Sequence, residues 1–135
     1  MTIKEIFEKH KNIAVYGMSA NPQKPSFTVP EFLMSKGYEI LPINPTATEI
    51  LGKKVYNKLA DVEEEIHILE VFRPSSEALN VVKEAIERRK SRGDIQVIWL
   101  QQDIINDEAK ALAEANGFEF VQDKCMYVEY LRYFS

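Results

Sequence analysis

The chain has 135 residues, 45% of them apolar and 28% charged, which excludes disordered, collagenous and low-complexity chains and suits one compact domain over 1–135. Seventeen basic against twenty-one acidic side chains leave a net charge of −4, so a sequence-independent nucleic-acid binder is excluded, since such binding rests on summed neutralisation of phosphates. A single cysteine, Cys125, leaves no internal disulfide, and with no run of 18 apolar residues the chain reads as soluble, cytoplasmic and without a membrane partner.

Met1 to His10 carries charges at helical spacing. The first apolar, β-rich run follows at Ile13-Ala14-Val15-Tyr16, and the polar stretch Gly17 to Phe27 leads into a helix predicted over Thr28 to Lys36. That helix places Val29, Phe32 and Leu33 on one face, with Pro30 in the first turn, where amides have no intrahelical partner. A second run, Tyr38 to Ile43, precedes a long loop in which Gly52 marks a turn. The third run is Ile66 to Val71. The next helix, Ser75 to Lys90, carries Leu79, Val82 and Ile86 at helical spacing and Arg88-Arg89-Lys90 in its last turn, where the macrodipole favours cations.

A fourth run, Ile95 to Leu100, is followed by a helix from Asn106 to Asn116, which opens on an N-cap type residue. Phe118 to Val121 is the fifth run. The tail, with Lys124, Tyr127, Tyr130 and Tyr133, is aromatic and is expected to pack onto the domain. Successive runs begin 23 to 29 residues apart, the length of a strand, a helix and two loops, which is the pattern of βαβ units in a parallel sheet. Glu39, His67 and Gln96 interrupt the runs and are taken as strand-end or edge positions. The fold class is therefore α/β: a three-layer, doubly wound sheet of about five strands in the expected order 3-2-1-4-5.

In such sheets ligands sit beyond the carboxyl ends of the strands, where the winding reverses. The expected order puts that crevice between the first and fourth strands. Of five glycines, Gly37, Gly93 and Gly117 fall where helices end and Gly52 in a turn, which leaves Gly17 alone at the ligand face. Around it Ser19, Ser26 and Thr28 offer hydroxyls, Asn21 an amide and Lys24 a positive charge next to a helix start, a setting that favours phosphate. Taken alone, the stretch is equally what an ordinary Ser/Asn/Pro-rich loop looks like. It reads G-x-S-x-N-P in place of G-x-G-x-x-G, and Asn44-Pro45 stands where a dinucleotide site wants an acid for the ribose, which disfavours an NAD or NADP dehydrogenase.

Gly17-Met18-Ser19 with Pro22, Lys24, Pro25 and Ser26, then Pro42-Ile43-Asn44-Pro45, Ile50 to Tyr56, Val71-Phe72-Arg73, Val97 to Gln101, and Asp123-Lys124-Cys125 with Glu129 together resemble the small stand-alone CoA-binding domain family. That family is similar to the N-terminal domain of the succinyl-CoA synthetase alpha subunit, and the resemblance runs from about residue 10 to 131. It implies a Rossmann-like domain that binds coenzyme A, with the first loop on the nucleotide phosphates. The implied cofactor-binding residues are Gly17, Met18, Ser19, Ala20, Asn21, Lys24, Ser26, Asn44, Pro45, Phe72, Arg73, Trp99 and Gln101. A lysine that the synthetase carries after its second strand is replaced here by Thr46 and Ala47, so Lys24, Lys53 and Arg73 are the candidates for the 3′-phosphate.

The synthetase's phosphorylated histidine belongs to a later domain. His10 and His67 read as structural, Asp103 as a solvated loop acid, and no catalytic residue or metal set is expected. Cys125 reads either as a small buried apolar residue or, at the ligand end of the sheet, as a candidate redox thiol for a mixed disulfide with CoA. The leading expectation is a non-catalytic CoA or acyl-CoA binding protein. The alternatives are an NAD(P)-type redox or regulatory protein and an accessory subunit of a CoA ligase, with a protein partner left open.

Overall fold

The computed structural model describes residues 1–134. In chain order these form α1 (Ile3–Lys9), β1 (Asn12–Tyr16), α2 (Pro25–Ser35), β2 (Glu39–Ile43), β3 (Glu49–Ile50), β4 (Lys53–Lys54), β5 (Ile68–Val71), α3 (Ala78–Arg92), β6 (Val97–Leu100), α4 (Asp107–Ala115), β7 (Glu119–Val121) and α5 (Met126–Phe134). Short 3₁₀ turns at Leu59–Asp61 and Ser75–Glu77 precede β5 and α3.

The main sheet has five parallel strands in the order β2-β1-β5-β6-β7. The α/β, Rossmann-like, three-layer architecture is as expected, but the order 3-2-1-4-5 is corrected: the third long strand lies beside the first and not outside the second. Two features explain it. The chain between β2 and β5 forms no α-helix, only a short hairpin and one 3₁₀ turn, so no helix layer would cover a strand added beyond β2. The outer edge of β2 is also already occupied, because Tyr56 donates its N–H to Pro42 O (2.9 Å) and accepts from Asn44 N (3.0 Å) in a parallel bridge to Ile43.

Alternation along the strands divides the core. Ile13, Val15, Ile68, Val97 and Trp99 face a layer made by α1, α2 and α5, through Ile6, Phe7, Val29, Leu33 and Met126. Ala14, Leu69, Val71, Ile98 and Leu100 face α3 and α4, through Val81, Val82, Ala85, Ala109 and Ala113. Helix α1 is fixed by a capping box in which Thr2 Oγ1 accepts from Glu5 N (3.2 Å) and Glu5 Oε1 from Thr2 N (2.9 Å). The aromatic tail is a helix whose Tyr130 and Phe134 pack edge-on against Phe7, while Tyr127 stacks on Phe32.

The hairpin β3–β4 lies where the sequence predicts only a long loop. Its turn residues Leu51 and Gly52 both have positive φ (54° and 72°), the type I′ pattern, but strands of two residues carry no periodicity and Leu-Gly is not a usual I′ pair. Helix α2 begins at Pro25, three residues before Thr28, so Pro30 lies inside it. A residue at that position would normally donate to Ser26 O; here Ser19 N takes that carbonyl instead (3.2 Å). No helix of the described residues is long and apolar enough to cross a membrane.

Candidate functional site

With β1 and β5 adjacent, the chain leaves β1 toward β2 on one side while β5 and β6 continue on the other. The winding reverses between β1 and β5, which moves the ligand crevice from the expected β1/fourth-strand gap to the place where Gly17 meets Phe72 and Arg73. Gly17 has φ +88°, and a Cβ there would lie 2.9 Å from Arg73 Cδ and 3.0 Å from Phe72 O. Glycine is required at this position by conformation and by contact together.

The loop that follows is braced by its own side chains. Ser19 Oγ accepts from Asn21 N (3.0 Å), Asn21 Oδ1 from Gln23 N (2.9 Å), and Asn21 O from Lys24 N (3.0 Å). Asn44 donates its amide to Met18 O (2.8 Å) while its Oδ1 accepts from Thr46 N and Ala47 N (both 2.9 Å). The loops after β1 and β2 are thus held to each other, and α2 starts from a fixed point.

At the carboxyl ends of the strands a cleft of about 610 Å³ is lined by Lys24, Pro25 and Ser26, by Phe72, Arg73 and Pro74, by Gln101, Gln102, Asp103 and Ile104, and by Cys125. A smaller hollow of about 210 Å³, lined by Tyr16, Gly17, Ile43, Pro45, Asn57, Arg73 and Glu77, adjoins it through Arg73. Lys24 forms no ion pair among the described residues. Arg73 is held by Glu77, Nη2 lying 2.9 Å and 3.0 Å from the two carboxylate oxygens. Gln101 is buried and accepts from Met126 N through Oε1 (3.4 Å).

Of the residues expected at a site, the large cleft gathers Lys24, Ser26, Phe72, Arg73, Gln101 and Cys125, and the small hollow gathers Gly17 and Pro45. Asn44 organises the loop, and Ser19, Ala20 and Asn21 lie on the strap before α2 outside the cleft lining. Met18 and Trp99 are fully buried, and the Trp99 indole donates to Lys124 O (2.8 Å), so neither presents its side chain to the cleft. Strand parity decides Trp99, which points into the α1/α2/α5 layer. Cys125 is free and half-buried.

Asp103 is more than a solvated loop acid. It and Asp123 both adopt left-handed backbone (φ 70° and 58°), with Asp103 N donating to Asp123 Oδ1 (2.8 Å) and Asp123 N to Ile104 O (3.2 Å). This clasp joins the loops after β6 and β7 beside Cys125, and aspartate is among the residues that tolerate that conformation. Pro25, Pro74, Gln102 and Ile104 also line the cleft, on the loops that the sequence places around the crevice, although none of them is among the expected binding residues.

The histidines sit at the opposite, amino end of the strands. His67 Nδ1 accepts from Lys11 N (3.2 Å) and Asn12 N (3.0 Å), with Nε2 2.9 Å from Glu65. The His10 ring lies near it, tilted, with centroids 5.7 Å apart, and burial lowers the His10 pKa. One acid went unremarked in the sequence: Glu70, in the middle of β5, is fully buried, and burial pushes its pKa up to about 8.

A family model described as a CoA binding domain matches residues 11–131, and the chain belongs to that family. It is 37% identical over 126 residues to the Bacillus subtilis protein YneT, covering 93% of this chain and 90% of that one. A solved Thermus thermophilus structure, cell-free ID.343, superposes with a TM-score of 0.90 at 32% identity, over 98% of this chain and 96% of that one. An ADP-forming acetate–CoA ligase of Archaeoglobus fulgidus is 30% identical over 80 residues, which span 58% of this chain but 12% of the ligase. The family is therefore related to the CoA-binding domains of CoA ligases.

Proposed function

We propose that this protein binds coenzyme A or an acyl-CoA in the cleft at the carboxyl ends of β1, β5 and β6, as a binding module and not a catalyst. The observation that carries the reading is the lining of the cleft: Lys24 and Ser26 stand at the start of α2, where helix amides and dipole favour phosphate, and Arg73, after β5, adds a second cation to the same lining. Phe72, Pro74 and Ile104 give the same cleft an apolar wall suited to adenine or pantetheine. Lys24 and Arg73 take the roles of 3′-phosphate and pyrophosphate partners, while Lys53 is committed to Glu39 at 3.1 Å on the far edge of the sheet. Membership of a CoA-binding domain family and the likeness to a protein named as a CoA ligase both favour this ligand.

A thermal-shift panel with CoA, acetyl-CoA, dephospho-CoA, NAD, NADP and ATP tests the reading. A ligand present at a hundred times its dissociation constant stabilises the fold by about 2.7 kcal/mol. CoA is expected to raise the melting temperature more than dephospho-CoA does. A shift with NAD and none with CoA sinks the proposal.

A further inference from the structure

Glu70 stands between Val15 of β1 and Trp99 of β6 in the sheet register. It has no exposed surface, and neither carboxyl oxygen has a hydrogen-bond partner among the described residues. The other buried acids are treated differently. Asp94 is bonded to Arg88 and to Ile66 N, and Glu129 to Arg132. A carboxyl left without partners in a packed interior is rare enough to need a reason.

Its place in the fold suggests one. Side chains alternate along a strand, so Glu70 shares its face with Phe72, two residues on, and Phe72 lines the cleft. The layer covering that face is built from Met18, Val29, Leu33 and Met126, and no charge in it meets Glu70. On α2 Glu31 is exposed, as is Lys36 just after it. On α1, Lys4, Glu8 and Lys9 are exposed and Glu5 is engaged in the cap. On α5 the acid Glu129 is held by Arg132, and β1 and β6 contribute no charged residue.

We propose that Glu70 is a proton-linked positioning residue of the CoA cleft, holding the β5 side of its wall in place only while the carboxyl is neutral. The proposal rests on the CoA reading of that cleft. A neutral carboxylic acid is tolerable in an apolar layer, whereas an ionised one with no cation in reach must draw in water or shift. The contact between β1 and β5 leaves little slack for such a shift, since even a Cβ on Gly17 would press on Phe72 O and Arg73. Movement at Glu70 is therefore passed along the end of β5 to Phe72 and Arg73, two and three residues on and just past the strand, and the fraction of molecules with a competent cleft falls.

The test is calorimetric titration of CoA into the wild-type protein and Glu70→Gln from about pH 6.5 to about pH 9.5, comparing the two dissociation constants at each pH. Titration of CoA itself is common to both and cancels in the ratio. The wild-type protein is expected to lose affinity relative to the variant by roughly tenfold per pH unit once the acid is ionised. A ratio constant within about twofold over that range overturns the proposal. If neither protein binds CoA at any pH, it is the CoA reading that fails, and amide exchange at Phe72 and Arg73 then decides. Exchange that accelerates with pH only in the wild type, beyond the intrinsic rate, keeps Glu70 as the group that sets the wall; equal behaviour removes it. Should Glu70→Gln not fold, Glu70→Met, of similar length and also uncharged, replaces it.

Discussion

Ser19 donates its backbone N–H to the carbonyl of Ser26 at 3.2 Å. Ser26 O is free to accept because Pro30, four residues further along α2, has no N–H to offer it. A residue that ordinarily weakens a helix interior here leaves free the Ser26 carbonyl that ties the first loop to the start of α2.

Pro30→Ala restores the competing donor. The helix itself should gain from the change, so the melting temperature should hold or rise, while the Ser19 amide should exchange at least about tenfold faster as its acceptor is shared. Hydrogen exchange read at Ser19 checks this; an unchanged rate shows that the loop is held without that bond.

Gly17→Ala is expected to be disproportionately damaging for an exposed-end position. The added carbon meets Arg73 Cδ and Phe72 O at 2.9 Å and 3.0 Å on a backbone with φ +88°, and the strain and overlap together should cost about 2 kcal/mol or more. Urea unfolding measures it. Gly37→Ala, where φ is also positive but nothing lies within 4 Å, should cost less, about 1 kcal/mol.

The proton on Glu70 makes stability depend on pH in a defined direction. Its folded pKa, about 8, lies above the ordinary value of 4.5, so the folded state binds the extra proton. The contribution is fully present below 4.5 and is lost as pH rises toward about 8. The slope is about 1.4 kcal/mol per pH unit. The difference in unfolding free energy between wild type and Glu70→Gln isolates this from all other groups. It should swing in favour of the variant across that window, and a flat difference contradicts it.

Arg88→Ala should lower stability by roughly 3–5 kcal/mol, because it strands a buried carboxylate. Arg88 bonds Asp94 at 3.0 Å and also caps the carbonyls of Leu59, Val62 and Glu64 at 2.9 to 3.0 Å, so it fixes the crossing between β2 and β5, which has no α-helix to hold it. Chemical denaturation gives the magnitude, and a loss under about 1 kcal/mol would show the pair to be dispensable.

The five strands of the main sheet are legible in the sequence because each is an apolar run bounded by turn or cap residues, and α2, α3 and α4 because their apolar spacing and glycine stops agree, whereas α5 reads only as an aromatic tail. The neighbours of each strand are not. Nothing in Ile68 to Val71 says that it lies beside β1; that follows from a crossing without an α-helix and from Tyr56 occupying the edge of β2. The cleft was legible where loop position alone decides, as for Lys24, Ser26, Phe72 and Arg73. It is not legible where parity decides, as for Trp99, whose side chain turns into the core. Glu70 was hidden because one acid in an apolar run resembles a strand-edge residue until its burial is seen.

Arg73 forms part of the lining of both the cleft and the smaller hollow beside Gly17, and it is kept there by an ion pair with Glu77 whose two side chains are 40% and 45% exposed. Such a pair is worth at most about 1 kcal/mol. The guanidinium is therefore a movable partition. Under the proposed CoA reading, that partition and not the backbone would limit how far a ligand extends from the cleft into the hollow, and salt that loosens the ion pair is expected to lengthen the berth.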